Sequence, residues 1–503
     1  MIGWIALSVW PVIGIILFNK LKLPAAICST IFGGFLLLPE RIGLDLPVLP
    51  TLDKHSIPVV TALIMTSIVL LRPRQWTHTN PGWVPRSIVV LAFIVLLFIG
   101  TFGTVLTNQD PLVYGSRYLS GMKLYDGFSF SLSIVITLIP LIIARKALAS
   151  PQAQRTLLIA LAVSALAYSA PALWEIRMSP QLHRQIYGFF QHSFNQQIRA
   201  GGFRSMVFLS HGLTLSMFFC LAILASAALA RTSGPAKRIR WWALVGFLTV
   251  VLILNKTLGA LAITLLVLPL MILLRARAQL LVAACIAGIV MTYPLLRAAN
   301  VIPVDRVVAL AESIDPARAS SLSFRLRNED ILLEKARERP FFGWGGWSRN
   351  RVYNDAGRDL SVTDGVWVIH FGVGGWFRYI GFFGLLCWPI IALFISKRDR
   401  LDPYSAALAL ILAAKLLDMI PNAGSDPYVW LIVGSLIGRL ELASLKTGTS
   451  KQDPDVAPNS KPQYRRKLTE PPEGEPDSSA ETPVTRDISY TRAKTIRHRR
   501  TSS

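Results

Sequence analysis

Arginines dominate two polar stretches of an otherwise apolar chain, and their grouping suits phosphate recognition. The first stretch, LWEIRMSPQLHRQIYGFFQHSFNQQIRAGGFRS, carries Arg177, Arg184, Arg199 and Arg204 with His183 and His192 against one acid, Glu175. A guanidinium fork meets phosphate oxygens bidentately, so such a cluster beside a membrane suits a lipid-linked diphosphate. Lipid head groups, or acids of the second stretch, are the plainer partners. In GGFRSMVFLSHG, Gly201 and Gly202 permit a tight turn. Arg204 and His211 then enter the next helix, where an ionisable residue about two turns deep tends to be functional; hydrogen-bonded helix packing is the alternative for His211.

The second stretch, Ser321–Gly384, has more internal structure. Ser321 or Ser323 can cap a helix through RLRNEDILLEKARER, with Leu326, Leu332, Leu333 and Ala336 as its apolar stripe and Pro340 as its end. Arg325 and Asn328 lie one turn apart on one face. Arg337 and Arg339 fit the helix dipole. In FFGWGGWSRNRVYN the glycines allow close backbone approach, while Trp344 and Trp347 offer flat faces to sugar rings or anchor at the membrane interface. Asp364 and His370 precede the next apolar segment, and either can act as general base for a hydroxyl. Asp418, inside an apolar segment, is a third candidate, or the partner of a loop arginine.

These residues need a scaffold, and composition says which kind. Of 503 residues, 52% are hydrophobic and 16% charged, with a mean hydropathy of +0.47, which matches a polytopic membrane protein. The N-terminus enters an apolar segment without a basic leader or a small-residue cleavage site, so the first segment is expected to stay. Cys28, Cys220, Cys285 and Cys387 lie in apolar segments without metal-ligand spacing. They read as packing residues, and no metal or cofactor is expected.

Thirteen apolar runs are long enough to span a bilayer, or nearly so: 2–18, 23–39, 57–71, 87–107, 127–144, 156–174, 205–230, 241–255, 258–274, 279–296, 377–395, 404–421 and 428–445. The fold expected is an all-α polytopic helix bundle of about twelve or thirteen transmembrane helices across 1–445. Alternate connections divide sharply by charge. One set holds seventeen Lys and Arg, among them Arg86, Arg145, Lys146, Arg231 and Arg275; the short opposite loops hold five, Arg41, Lys54, Arg117, Lys123 and Lys256. By the positive-inside bias the first set is cytoplasmic, the N-terminus is outside, and 175–204 and the large loop 297–376 face outward. The net charge of +23 therefore reports topology, and no nucleic acid is expected. Residues 446–503 read as a disordered cytoplasmic tail, whose TRAKTIRHRR end can touch anionic membrane lipids or simply be solvated.

The order of these parts resembles the O-antigen ligase and O-antigen polymerase superfamily of bacterial membrane glycosyltransferases. The resemblance covers roughly 195–385. It runs through a glycine-rich turn with Arg at the start of a middle helix (GGFRSMVFLSHG), a small-residue turn opening a later helix (NKTLGALAI) and a long loop. That loop has an Arg-led helix, a Pro-x-x-Gly-x-Gly turn (Pro340–Gly345) and a polar pair before glycines. It implies a fold similar to the GT-C class and a metal-independent, inverting transfer or polymerisation of a glycan. The donor would be a polyprenyl-diphosphate-linked glycan, at the outer face of the cytoplasmic (inner) membrane, and the acceptor a glycan or lipid. Carried over, Arg204 and Arg325 would bind the donor diphosphate, and Lys256 would stand where Ser-Arg is usual. The reading of the residues themselves adds Arg199, His211, Asn328, Trp344 and Trp347 as candidate substrate contacts. The family's ligases commonly place His-Asn before the helix after the loop. Here that pair becomes Asp364 and Gly365, with His370 six residues on, so the base is Asp364 or His370. A transporter or flippase of a lipid-linked saccharide, acting without chemistry, is the alternative function. Sugar, acceptor, ligase versus polymerase, and oligomeric state have no signature in these residues.

Overall fold

The computed structural model describes residues 2–45, 50–71, 82–199, 201–314, 316–396, 402–424 and 426–449. They form an all-α bundle, 73% helical with sixteen helices and no closed sheet. The chain opens with α1 (Ile2–Lys20), α2 (Leu23–Leu37), α3 (Ile57–Leu71), α4 (Ile88–Thr107), α5 (Leu124–Ala147) and α6 (Pro151–Met178). A short α7 (Leu182–Tyr187) precedes α8 (Gly212–Thr232), α9 (Pro235–Leu254), α10 (Leu258–Leu273) and α11 (Ala276–Ala298). The large loop folds as α12 (Val304–Ile314) and α13 (Pro316–Glu338), and α14 (Val366–Ile395), α15 (Pro403–Asp418) and α16 (Pro427–Thr449) complete the bundle. Three two-stranded hairpins sit in the loops: β1–β2 (Gly43–Leu44, Leu52–Asp53), β3–β4 (Leu112–Tyr114, Arg117–Leu119) and β5–β6 (Ile198–Arg199, Gly202–Phe203).

Every one of the thirteen apolar runs is a helix or lies largely within one. Among the described residues seven helices, α1, α4, α5, α6, α8, α11 and α14, are long and apolar enough to cross a membrane, and α2, α3 and α10 are shorter apolar helices. The protein is thus multi-pass by length and composition. Helix α8 is the hub: nearly all of its side chains are buried, whereas α1, α4 and α5 show many apolar side chains outward, as lipid-facing helices do.

The connections segregate to two ends. At one end Arg145 pairs with Glu441, whose other carboxylate oxygen accepts from Arg86 N (2.8 Å), and Ser405 Oγ donates to Gln154 (2.6 Å). At the other, Lys54 Nζ reaches Glu40 (2.9 Å) and the Phe208 carbonyl (2.8 Å), Asp110 lies 3.5 Å from Arg339, and Arg325 reaches Asn422 (2.8 Å). The two polar stretches share this second end. Some basic residues of the charge bias, Arg72, Arg74, Lys397, Arg398 and Arg400, lie outside the described residues, as does the tail from 450 onward.

Three boundaries differ from expectation. Helix α13 starts at Pro316, ahead of Ser321 and Ser323, although it ends before Pro340 and buries Leu332, Leu333 and Ala336 as its stripe requires. Helix α14 starts at Val366, eleven residues before the apolar run, because it is two helices joined at Gly375 (φ 60°, ψ −159°). The break leaves carbonyls without intrahelical donors, and the Pro340–Gly345 turn supplies them: Trp344 N donates to Gly372 O and Gly345 N to Val373 O, both at 2.9 Å. Trp376 N returns a bond to Pro340 O at 2.8 Å. Two backbones cross here, and a Cβ on Gly375 would sit 2.3 Å from the Phe341 backbone. The glycines of FFGWGG and GVGG are therefore one feature, a turn seated in a helix break.

The third difference concerns the segment before α8, whose helix begins at Gly212 and leaves 205–211 irregular. Its backbone is satisfied by side chains instead. Glu175 Oε2 accepts from Ser205 Oγ (2.9 Å), Met206 N (2.8 Å) and Val207 N (2.7 Å), and its other oxygen accepts from Leu182 N (3.1 Å). Gln191 donates to the carbonyls of Val207 and Leu209. The single acid of that stretch is a hub for a turn, not a counter-ion. Glu175→Ala leaves these buried donors unmet, and we expect a loss of about 3 kcal/mol of stability, read as a lowered temperature for loss of monodisperse protein in detergent.

Candidate functional site

The irregular turn at 205–211 exists to place Arg204. Arg204 is buried (4% exposed) and lies across the start of α8, where Gly212 leaves room: a Cβ there would be 2.7 Å from its Nε. Its Nε donates to Gln197 Oε1 (3.0 Å) and one amino group to Gln196 O (2.9 Å). His211 is the N-cap of α8 rather than a residue two turns inside it, and its Nδ1 accepts from Leu213 N at 3.0 Å. Burial, then the charge of Arg204, holds its pKa down to about 3, so the ring is neutral. With Nδ1 accepting, the proton sits on Nε2, which faces the Arg204 amino group at 3.5 Å. Two donors converging this way are an invitation to an anion.

Arg204 lines a cleft of about 380 Å³. Arg199, Arg204 and Arg325 line it together with the first turn of α10 and the end of α15, including Asp418 and Asn422. First-turn N–H groups of a helix lack intrahelical acceptors, so the α10 N-terminus adds donors to the arginines. Thr257 gives it no side-chain cap. Lys256, at φ 53° in the turn between α9 and α10, extends toward β6, where the missing Cβ of Gly202 admits its Nζ. Asn255 ties this turn to the first: its Oδ1 accepts from Ser205 N at 2.7 Å, and its amide donates to Ser216 Oγ at 2.8 Å.

Arg325 reaches the cleft from α13. It donates to Asn422 Oδ1 (2.8 Å) and Pro421 O (3.3 Å), and its Nε lies 3.6 Å from Asp364 Oδ2. Both partners keep partial solvent access, at 27% and 35% of their side chains. Asn422 in turn donates to Asp418 (2.7 Å), which pairs with Lys415 (2.9 Å) one turn back in α15. Asp418 is therefore an ion-pair member, with a lysine of its own helix rather than a loop arginine as partner.

The other predicted residues divide. Asn328 is buried, with Oδ1 accepting from Val362 N at 2.7 Å and its amide donating to Phe324 O. The expectation that it faces substrate is corrected: it pins the irregular segment leading to Asp364. Trp344 is likewise corrected as a sugar platform, being 9% exposed with Lys335 and Arg339 over its ring and its N–H on Lys335 O. Trp347 is 65% exposed and remains open to a ligand. His370 lies elsewhere, stacked on Phe382 in a separate cavity with Arg378. Asp364 and His370 thus do not share a cavity, and Asp364 is the one paired with the arginine cleft.

Several site-shaping residues escaped sequence reading. Asn255 sits in an apolar context and Asn422 in a short loop, and neither has a recognisable spacing. Lys415 with Asp418 at i+3 inside an apolar segment was a usable signal. So was Glu329, on the buried face of α13, where Trp367 donates to it at 3.3 Å and Arg297 lies 3.8 Å away. Burial raises its pKa to about 7. Between its ordinary value near 4.5 and that point the folded state holds the extra proton, so stability falls as pH rises through this window. The loss is up to about 3 kcal/mol. Glu329→Gln should flatten the wild-type decline in thermal stability between pH 5 and 8.

Among the described residues no group of three or more His, Cys, Asp and Glu is arranged to hold a metal. No protein-family model matches the chain, and no curated protein is similar to it.

Proposed function

We infer that the protein is a membrane glycosyltransferase of the O-antigen ligase or polysaccharide polymerase type, with a helix bundle of the GT-C kind. It moves or extends a polyprenyl-diphosphate-linked glycan at the outer face of the bacterial cytoplasmic membrane. The observation that carries this reading is the convergence of Arg199, Arg204 and Arg325 on one cleft beside the α10 N-terminus, with a carboxylate on Arg325. A diphosphate is the ligand with the charge and oxygen count for such a site, and its chain would lie along the apolar helices.

In the reaction the acceptor hydroxyl attacks the anomeric carbon from the face opposite the diphosphate. The new C–O bond forms as the C1–O bond to phosphate breaks. The electron pair leaves with the polyprenyl diphosphate, and the hydroxyl proton passes to Asp364. Arg204 and Arg325 stabilise charge growing on the leaving group, which is where electrostatic catalysis contributes most. His211, neutral, offers its Nε2–H to the same oxygens. Asp418 and Asn422 hold Arg325 in place. The positive-inside bias puts this cleft outside and the C-terminal tail inside.

Cells lacking the gene test this directly: surface polysaccharide should lose its attachment or its length while lipid-linked glycan accumulates. Unchanged polysaccharide and no accumulation would remove the assignment.

A further inference from the structure

A second cation sits half-buried in the bundle away from the cleft. Arg378 follows the Gly375 break in α14, and its backbone packs against Gly100 of α4, where a Cβ would come within 2.9 Å of Arg378 N. Gly100 lies seven residues from the end of α4, about 10 Å along the helix axis at 1.5 Å per residue. Among the described residues the polar partner of Arg378 is His370, whose Nδ1 accepts from Nε at 3.4 Å. An imidazole accepting through Nδ1 is neutral, so it leaves the charge uncompensated and the two terminal amino groups uncommitted. A half-buried arginine at this depth with a neutral partner is suited to take up an anion.

The cavity around it shows what kind. It measures about 90 Å³, room for a phosphate-sized group and too small for a sugar chain. Its walls are apolar, Leu97, Phe130, Leu138, Phe382 and Trp430 among them, and the hydroxyls of Ser133 and Thr137 spend their protons on α5 carbonyls. Arg378 is therefore its principal donor. Thr137 and Trp430 also line an adjoining cavity of about 280 Å³ between α3, α5 and α16, walled by Val59, Ile136, Pro140 and Pro427 with His55 as its ionisable residue. A guanidinium beside a neutral imidazole in a largely apolar groove, with room for hydrocarbon alongside, suits an amphiphile. α5 also shows Phe128 and Val135 outward nearby, which gives a route from the bilayer.

We propose that Arg378, held by His370, binds the phosphate of an anionic glycerophospholipid in the groove between α4, α5, α14 and α16. The site is separate from the arginine cleft and takes no part in transfer. Basic pockets between membrane helices select anionic head groups by charge, and a fixed guanidinium adds geometry to that selection.

The test uses the full-length protein in phosphatidylcholine nanodiscs with a photoreactive phosphatidylglycerol as probe, followed by peptide mapping. The expected result is label on the 366–395 peptide, competed by unlabelled phosphatidylglycerol and not by phosphatidylcholine or inorganic phosphate. Arg378→Gln should lower that label at least tenfold, and Arg378→Lys should retain most of it. Label absent from 366–395, or equal in Arg378→Gln, overturns the proposal; competition by inorganic phosphate but not by lipid overturns the lipid as its source. If Arg378→Gln fails to fold, the wild-type map and competition decide alone.

Discussion

Arg325→Ala should reduce glycan transfer by about a hundred- to a thousandfold, the cost of removing one preorganised donor from a developing oxyanion. The protein should still accumulate in the membrane at near wild-type amounts. Arg325 is partly exposed, and its bonds go to Asn422, the Pro421 carbonyl and Asp364, none of which is a folding hub. Arg325→Lys should recover only part of the loss, since an ammonium cannot bridge two oxygens as a planar fork does. Polysaccharide of normal length and amount in cells expressing Arg325→Ala would exclude the residue from the reaction.

Asp364→Asn carries the second large effect. If the carboxylate takes the acceptor proton, the amide keeps its shape and loses that capacity, and the rate of transfer should fall by about a hundred- to ten-thousandfold with donor binding unchanged. Donor binding is measurable separately, by retention of radiolabelled polyprenyl diphosphate on the purified variant. His370→Gln is the control. His370 sits in the Arg378 cavity, so its replacement should leave the rate of transfer within a few-fold of wild type. The opposite ranking, with His370→Gln inactive and Asp364→Asn active, would move the base to α14.

The class of fold was legible in the sequence because hydrocarbon imposes long apolar runs, and each of the thirteen runs is a helix or lies largely within one. Legibility failed where a helix was broken by partners distant in sequence. Gly375 reads as an ordinary glycine in GVGGWF until Phe341 is laid against it, and 205–211 reads as helix until Glu175, thirty residues upstream, supplies its acceptor. Such contacts leave no local period. The same reason explains the site. Arg204 and Arg325 were visible as outward arginines, and their meeting in one cleft follows from the two turns that sequence reading treated as separate. Trp344 misled because composition cannot tell a ring that faces water from a buried one with Lys335 and Arg339 against it.

The arginine cleft also gives Asn255 and Glu175 a purpose that packing alone would not. Both act on the turn that carries Arg204, one through Ser205 N and the other through the next residues. Their loss should therefore depress stability and transfer together, whereas loss of Arg325 should depress transfer alone. That contrast separates residues that build the cleft from those that work in it.

The central claim is that this cleft breaks a glycosyl-diphosphate bond. It is tested most directly by incubating the purified protein with a polyprenyl-diphosphate glycan and an acceptor and measuring free polyprenyl diphosphate. The account predicts carrier release in step with formation of a new glycosidic bond of inverted configuration, without added metal, and lost in Arg325→Ala. Translocation of intact lipid-linked glycan across a vesicle membrane, with no carrier released, would contradict it and make the protein a flippase.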